Sequence, residues 1–359
     1  MDEQQHNSIL AYDATDEYCP GPPPEPQPPF WQDGSIRIGI HTSIARSLLD
    51  ALDTARGIGC NALQIFSASP RMWPQRTGLR IPADQAERFR ARRAELRLGP
   101  LAVHANYLIN LGSTDRVIRA RSLQAMHGEL VRALALGADY LTVHPGSAGT
   151  RGVAAAVAAA ADAIRQAARG LKLDGLRILL ENTAGQGSLL GGKLDELRAV
   201  LEACDDLPMG VCLDTAHLFA AGYDLRSESG LDATLAAIDA AIGLERVFVL
   251  HVNDSKAPLG SRLDRHEHIG KGRIGRAAFA RLLNHRLLAG RAFIAETPMD
   301  RPGDDRRNVA ALWRLVGVKV KAGPKAHDGF PSRRRTTKVR AKPPSRKGGR
   351  KGAHPCVGC

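Results

Sequence analysis

The sequence predicts an α/β chain folded as a single (β/α)8 barrel, with disordered N- and C-terminal extensions. Short apolar runs rich in β-branched residues alternate eight times with longer stretches of helical period, the pattern of βα units around a parallel sheet. The alternation fills about 280 residues, the size of one such barrel. Polar side chains that could bind metal follow most of the runs, as expected where strand ends converge on one mouth.

The strand-like runs are 36–40 (IRIGI), 62–66 (ALQIF), 101–103 (LAV), 140–143 (YLTV), 177–180 (RILL), 209–213 (MGVCL), 247–250 (VFVL) and 292–295 (AFIA). Helical stretches are expected at 116–136, 153–169, 193–203, 231–242, 276–288 and 304–316. A doubly wound open sheet is the alternative topology. The domain expectation is a barrel over 35–317 between two extensions. Residues 1–34 hold seven acids and no Lys or Arg, and 19–29 are mostly proline, so this arm supplies few backbone donors for a ladder or helix. Residues 318–359 hold thirteen bases against Asp328 alone, too charged and too poor in apolar groups to fold unaided.

The formal charge is +13, and the acidic arm and basic tail leave the middle of the chain about eight charges positive. An acidic polymer is therefore the first partner to consider, with the tail as a nonspecific DNA tether. The chain opens without a basic start or an apolar run, so no secretory signal is expected. The Ala-rich stretch 152–168 is broken by Asp162 and Arg165, too weak for a membrane span. Six scattered cysteines fit reduced thiols, and the expected location is cytoplasmic. Two weak motifs are set aside. The C-terminal Cys356-Val-Gly-Cys359 has Gly at the third position of a prenylation box and lacks partners, beyond His354, for a metal site. The run Gly270-Lys-Gly-Arg-Ile-Gly275 follows no strand, so it is expected to turn into the helix from 276 rather than bind a dinucleotide.

The residues after the eight runs are His41, Ser67, His104, His144, Glu181, Asp214, His251 and Glu296. The last six are His or carboxylate, and His41 is a seventh polar candidate. His217 follows Asp214 by three residues, and Asp264 alternates with His266 and His268 in one loop. Five histidines and four carboxylates without thiolate suit two or three zinc ions, with Mn²⁺ or Fe²⁺ as alternatives. Spacing alone does not choose between His266 and His268. Three divalent ions against four carboxylates and one hydroxide would leave the mouth about one charge positive, able to accept a phosphodiester.

At these residues the sequence resembles the endonuclease IV family, the zinc-dependent apurinic/apyrimidinic endonucleases (AP endonuclease family 2). The resemblance spans about 36–315 and is carried by His104-Ala-Asn-Tyr-Leu-Ile-Asn-Leu-Gly112, His144-Pro-Gly-Ser147, Glu181-Asn-Thr-Ala-Gly-Gln-Gly-Ser188, GVCLDTAHLFAAGYD from Gly210 to Asp224, His251-Val-Asn-Asp-Ser-Lys256 and GSRLDRHEHIG from Gly260 to Gly270. It implies three zinc ions, with Mn²⁺ a candidate at one site. One would take His104, His144 and Glu181. A second would share Glu181 and add Asp214, His251 and Glu296. The third would take His217, Asp264 and His266, leaving His268 outside the ligand set. Glu181 would position the nucleophile as the catalytic residue.

The resemblance further implies a phosphoric diester hydrolase of the deoxyribonuclease IV type, acting in base-excision repair. Such an enzyme cuts 5′ to an abasic site, leaves a 3′-hydroxyl and a 5′-deoxyribose phosphate, and trims blocked 3′ ends. The implied partner is double-stranded DNA with such lesions, bound by a monomer with no membrane, and Arg71, Tyr107 and Leu108 would contact the DNA. Residues 67–73 (Ser-Ala-Ser-Pro-Arg-Met-Trp) lack the Lys-Asn pair that commonly precedes that Arg in the family, and Ala216 stands where Cys is common. The alternative function is a sugar isomerase or epimerase of the xylose-isomerase-like barrels. It would use Glu181, Asp214, His251 and Glu296 and leave five of the candidate ligands without a task.

Overall fold

The computed structural model describes residues 34–74 and 80–319. The expectations of a disordered acidic arm and a disordered basic tail fall almost entirely outside these residues. Eight parallel strands close into a barrel: β1 (Arg37–Thr42), β2 (Leu63–Phe66), β3 (Leu101–His104), β4 (Tyr140–Val143), β5 (Arg177–Glu181), β6 (Met209–Asp214), β7 (Val247–His251) and a last strand, Ala292–Ala295. That strand pairs with both β1 and β7, which completes the ring and excludes the open-sheet alternative. Between β7 and the closing strand lies a short antiparallel pair, β8 (Asp254–Ser255) with β9 (His266–Glu267), so the closing strand is β10.

Helices cover the outside: α1 (Leu48–Gly57), α2 (Ala83–Glu95), α3 (Arg116–Ala135), α4 (Val153–Ala168), α5 (Leu194–Ala203), α6 (Thr215–Ala221), α7 (Glu228–Ala241), α8 (Arg276–Leu283) and α9 (Asp304–Trp313). Where these differ from expectation, local hydrogen bonds give the reason. The Ser227 hydroxyl accepts from Gly230 N at 3.0 Å and starts α7 three residues before the periodic run. The expected helix 276–288 stops at Leu283, and Asn284 Nδ2 donates to Ala280 O and Leu315 O before a separate 3₁₀ turn at Arg286–Leu288. The 270–275 glycine run does turn into α8, with Gly270 and Gly275 at φ +75° and +84°.

Two-residue alternation along the strands decides which side chains enter the barrel. Ile38, Ile40, Leu63, Ile65, Leu101, Val103, Ile178, Leu180, Val211 and Leu250 belong to the main core, which includes apolar side chains of the surrounding helices. The intervening residues Ala102, Tyr140, Leu179, Cys212, Val249, Ala292 and Ile294 form a second cluster, which fills the barrel. Continuing that second parity by one step reaches His104, Glu181, Asp214, His251 and Glu296, and by two steps from Tyr140, past the buried Thr142, reaches His144. In β1 and β2 the same parity gives His41 and Gln64, which stand opposite each other in register. These six candidate ligands thus continue the inward parity at the top of a filled barrel.

Cys60, Cys204 and Cys212 are free thiols and buried, and burial pushes them up to about 12, 11 and 12. His127 is structural, with Nδ1 2.8 Å from Ala167 O. Among the described residues no helix is long and apolar enough to cross a membrane.

Candidate metal centre

The barrel mouth brings the predicted ligands together in three overlapping groups. Potential donor atoms of His104, His144 and Glu181 lie within 4.8 Å of one another, as do those of Glu181, Asp214, His251 and Glu296, and those of Asp214, His217 and His266. Asp264 joins the third group, with Oδ2 3.2 Å from His217 Nε2 and Oδ1 3.2 Å from His266 Nε2. All nine predicted side chains are therefore in one constellation. Asp214 touches two groups, its Oδ2 lying 3.7 Å from His266 Nε2. His268 is not part of it: its Nδ1 meets Asn308 at 3.0 Å, and its Nε2 faces Asp300 and Asp304.

Local structure aims each group. Asp214 ends β6 and caps α6, its Oδ1 accepting from His217 N at 2.8 Å, so one residue starts the helix that delivers the next histidine. Gly222, at φ +110°, ends that helix after two turns. His266 reaches the centre because β9 pairs it with Ser255.

The tautomers are fixed by the protein as a metal site requires. His104 Nδ1 donates to Ala105 O at 2.8 Å, His217 Nδ1 to Asn182 O at 2.9 Å, and His266 Nδ1 to Glu296 O at 3.1 Å. Each of these rings keeps Nε2 for the centre. His251 is reversed, with Nε2 2.9 Å from Gln64 Oε1 and Nδ1 facing Glu181 Oε1 at 2.9 Å. His266 Nε2 is buried without a hydrogen bond even though two carboxylates are close. Nitrogen and carboxylate donors that converge within 4.8 Å in three groups, without thiolate, fit divalent ions.

Electrostatics agree with that fit. Glu181 and Asp214 are fully buried, which is costly for carboxylates without cations. Burial opposes ionisation of Glu181, yet His251 and His144 hold its carboxyl well below the usual range. Burial likewise opposes a charged His217, but Asp214 and Asp264 raise it to about 10; the same carboxylates outweigh burial at His266 and raise it to about 9. At neutral pH these carboxylates therefore keep His217 and His266 protonated, a charge balance that a divalent cation could also supply.

Several contributors were not legible in sequence. Asn253 Nδ2 donates to Asp214 Oδ2 at 2.5 Å while its Oδ1 accepts from Glu296 N. Asn182 Oδ1 accepts from Asp214 N. Gln64, wholly buried in β2, touches His251, Glu296 and His41. Its signal was a lone amide in an otherwise apolar strand. Ser67 does not face the ligands; it bonds Glu129 and Arg132 of α3.

The three predicted DNA contacts lie on two joined loops at the same mouth. Arg71 is exposed, Tyr107 is 54 % exposed and Leu108 is half-buried. Asn106 ties the loops by donating to Ser69 O and Met72 O, and Tyr107 N donates to Pro70 O. The Tyr107 ring packs edge-on to Phe66, 5.5 Å from the His104 ring.

Comparison with known proteins places this geometry. The family described as "Xylose isomerase-like TIM barrel" matches residues 52–314. The "Probable endonuclease 4" of Solibacter usitatus is 50 % identical over 288 residues, covering 79 % of this chain and 98 % of that protein. The protein of the same name from Halothermothrix orenii is 41 % identical over 264 residues, 73 % of this chain and 94 % of that protein. The crystal structure of endonuclease IV from Thermus thermophilus is 38 % identical with a TM-score of 0.69, covering 78 % of this chain and 98 % of that one. A D-tagatose 3-epimerase-like protein, 17 % identical with a TM-score of 0.58 over 78 % of this chain and 97 % of that one, shares the fold. With one of these curated relatives identical at half of the aligned positions over nearly its whole length, the chain belongs to the endonuclease IV family of xylose isomerase-like TIM barrels.

Proposed function

We propose that this chain is a zinc-dependent DNA repair endonuclease. It hydrolyses the phosphodiester 5′ to abasic sites, leaving a 3′-hydroxyl and a 5′-deoxyribose phosphate, and trims blocked 3′ ends. The observation that carries this is the convergence of five histidines and four carboxylates on one barrel mouth. A sugar isomerase would need only Glu181, Asp214, His251 and Glu296, and His104, His144, His217, Asp264 and His266 would have no task.

His104, His144 and Glu181 would hold one ion, Glu181, Asp214, His251 and Glu296 a second, and His217, Asp264 and His266 a third; Mn²⁺ is a candidate at one position. Bound zinc would supply the Lewis acidity that offsets charge on the phosphate and on the attacking and leaving oxygens. Glu181 faces His104 and His144 through Oε2 and His251 through Oε1, so one rigid carboxylate orients both halves of the centre. Asn253 and Asn182 lock Asp214 from two sides. Abasic duplex is cheap to kink, and Tyr107, Leu108 and Arg71 would hold the gap open. The substrate is double-stranded DNA acted on by a monomeric, cytoplasmic enzyme.

A duplex with one abasic site, incubated with the purified protein, should give a single nick ending in a 3′-hydroxyl, abolished by prior chelation. Metal analysis accompanies it: about three ions per chain supports this function, whereas one ion and no nick would favour the sugar enzyme.

A further inference from the structure

We infer that Gln64 is a positioning residue that selects, together with His41, which atoms of His251 and Glu296 face the ion. The inference rests on the proposed metal centre. Gln64 is wholly buried, one inward position below the mouth, and β1–β2 register sets it opposite His41. Its carboxamide has one consistent orientation. Oε1 lies 2.9 Å from His251 Nε2 and accepts its hydrogen, while Nε2 lies 2.5 Å from Glu296 Oε1 and donates to it. The opposite flip would set oxygen against carboxylate oxygen.

His41 Nδ1 lies 3.0 Å from Gln64 Nε2 and 3.1 Å from Glu296 Oε1. The angle these distances make at Gln64 Nε2 is far narrower than the roughly 120° between the two hydrogens of a carboxamide. Gln64 therefore donates to Glu296, and His41 Nδ1–H is a second donor to the same oxygen. With Oε1 of Glu296 saturated, Oε2 remains for the centre, 3.3 Å from His251 Nδ1. With the His251 Nε2 hydrogen committed to Gln64, Nδ1 remains, 2.9 Å from Glu181 Oε1. One uncharged side chain thus sets the tautomer of one ligand and the free oxygen of another in the Glu181, Asp214, His251 and Glu296 group. Being neutral, it orients both without adding charge to a pocket that already holds four carboxylates.

The test is release of zinc from the reconstituted holoprotein to a chromophoric chelator, followed ion by ion. Gln64→Met keeps the volume and removes both hydrogen bonds. It should release one ion per chain roughly 10- to 100-fold faster than wild type, the others unchanged. KM for the abasic duplex should hold while kcat falls. His41→Gln should speed the same single ion by a smaller factor, which keeps the inference testable if Q64M fails to fold. Unchanged release of every ion, or equal acceleration of all, overturns the assignment of Gln64. A wild type that binds no zinc instead overturns the metal centre itself, and this inference with it.

Discussion

At His217 and His266 a proton and the proposed ion would compete for one side chain. Their Nε2 atoms face the two carboxylate oxygens of Asp264, and the pKa values of about 10 and 9 mean that both rings hold protons at neutral pH. An ion must displace those protons, so zinc binding at pH 7 should release acid, and apparent affinity should rise as pH climbs toward about 9. An indicator dye in weakly buffered solution reads this directly; zinc uptake with no acid release would contradict it. Tyr107, outside the candidate ligand set and exposed at the mouth, is proposed to contact the substrate. Tyr107→Ala should raise KM for abasic duplex by about tenfold, the effect of losing one stacking contact, with zinc content unchanged. A fall in zinc content would place the ring among supports of the metal centre instead.

At the scale of elements, the site depends on strand register, because one residue of slip in a barrel strand would turn the ligand at its end out of the barrel. Gly39 in β1 is a place where register is held by the absence of a side chain. A Cβ there would lie 2.5 Å from Ala62 O and 2.7 Å from Ala62 C, on backbone that leads into β2. Gly39→Ala should cost about 1–3 kcal/mol, seen as a lower melting temperature, and should disturb the His41–Gln64 pairing two residues on. An unaltered melt would show that the two strands can part without penalty. The strands themselves were legible to within two residues, since alternation of apolar side chains is a local property. The β8–β9 pair was not, because two-residue strands carry no period. Helix α6 was hidden likewise: only Asp214 as cap and Gly222 as stop mark it, and both fall within a motif that drew notice as ligands.

For the whole molecule, ions at the mouth would stitch β3, β5, β6, β7 and the loops after β4, β7 and β10 into one unit. Anything bound to the native state alone stabilises it, by about 2.7 kcal/mol per site when free ligand is a hundredfold above Kd. Chelation should therefore lower the melting temperature, and restored zinc should recover it; a melt indifferent to chelator would argue against occupied sites. The basic tail belongs to this scale too. Removing 318–359 strips thirteen bases, and should weaken nonspecific duplex binding and flatten its salt dependence while abasic-site cleavage remains. An unchanged salt slope would end the tethering role.

By itself the sequence determined the eight βα units, the donor types and the family, because periodicity and ligand motifs are written in contiguous residues. It could not decide between His266 and His268 from spacing, nor find Gln64, Asn182 and Asn253 as supports. Those depend on where chain segments up to 232 residues apart meet, as Gln64 and Glu296 do. A buried amide inside a strand looks like any polar interruption until closure of the barrel supplies its partners, and only the tertiary structure brings β1, β2, β7 and β10 around it.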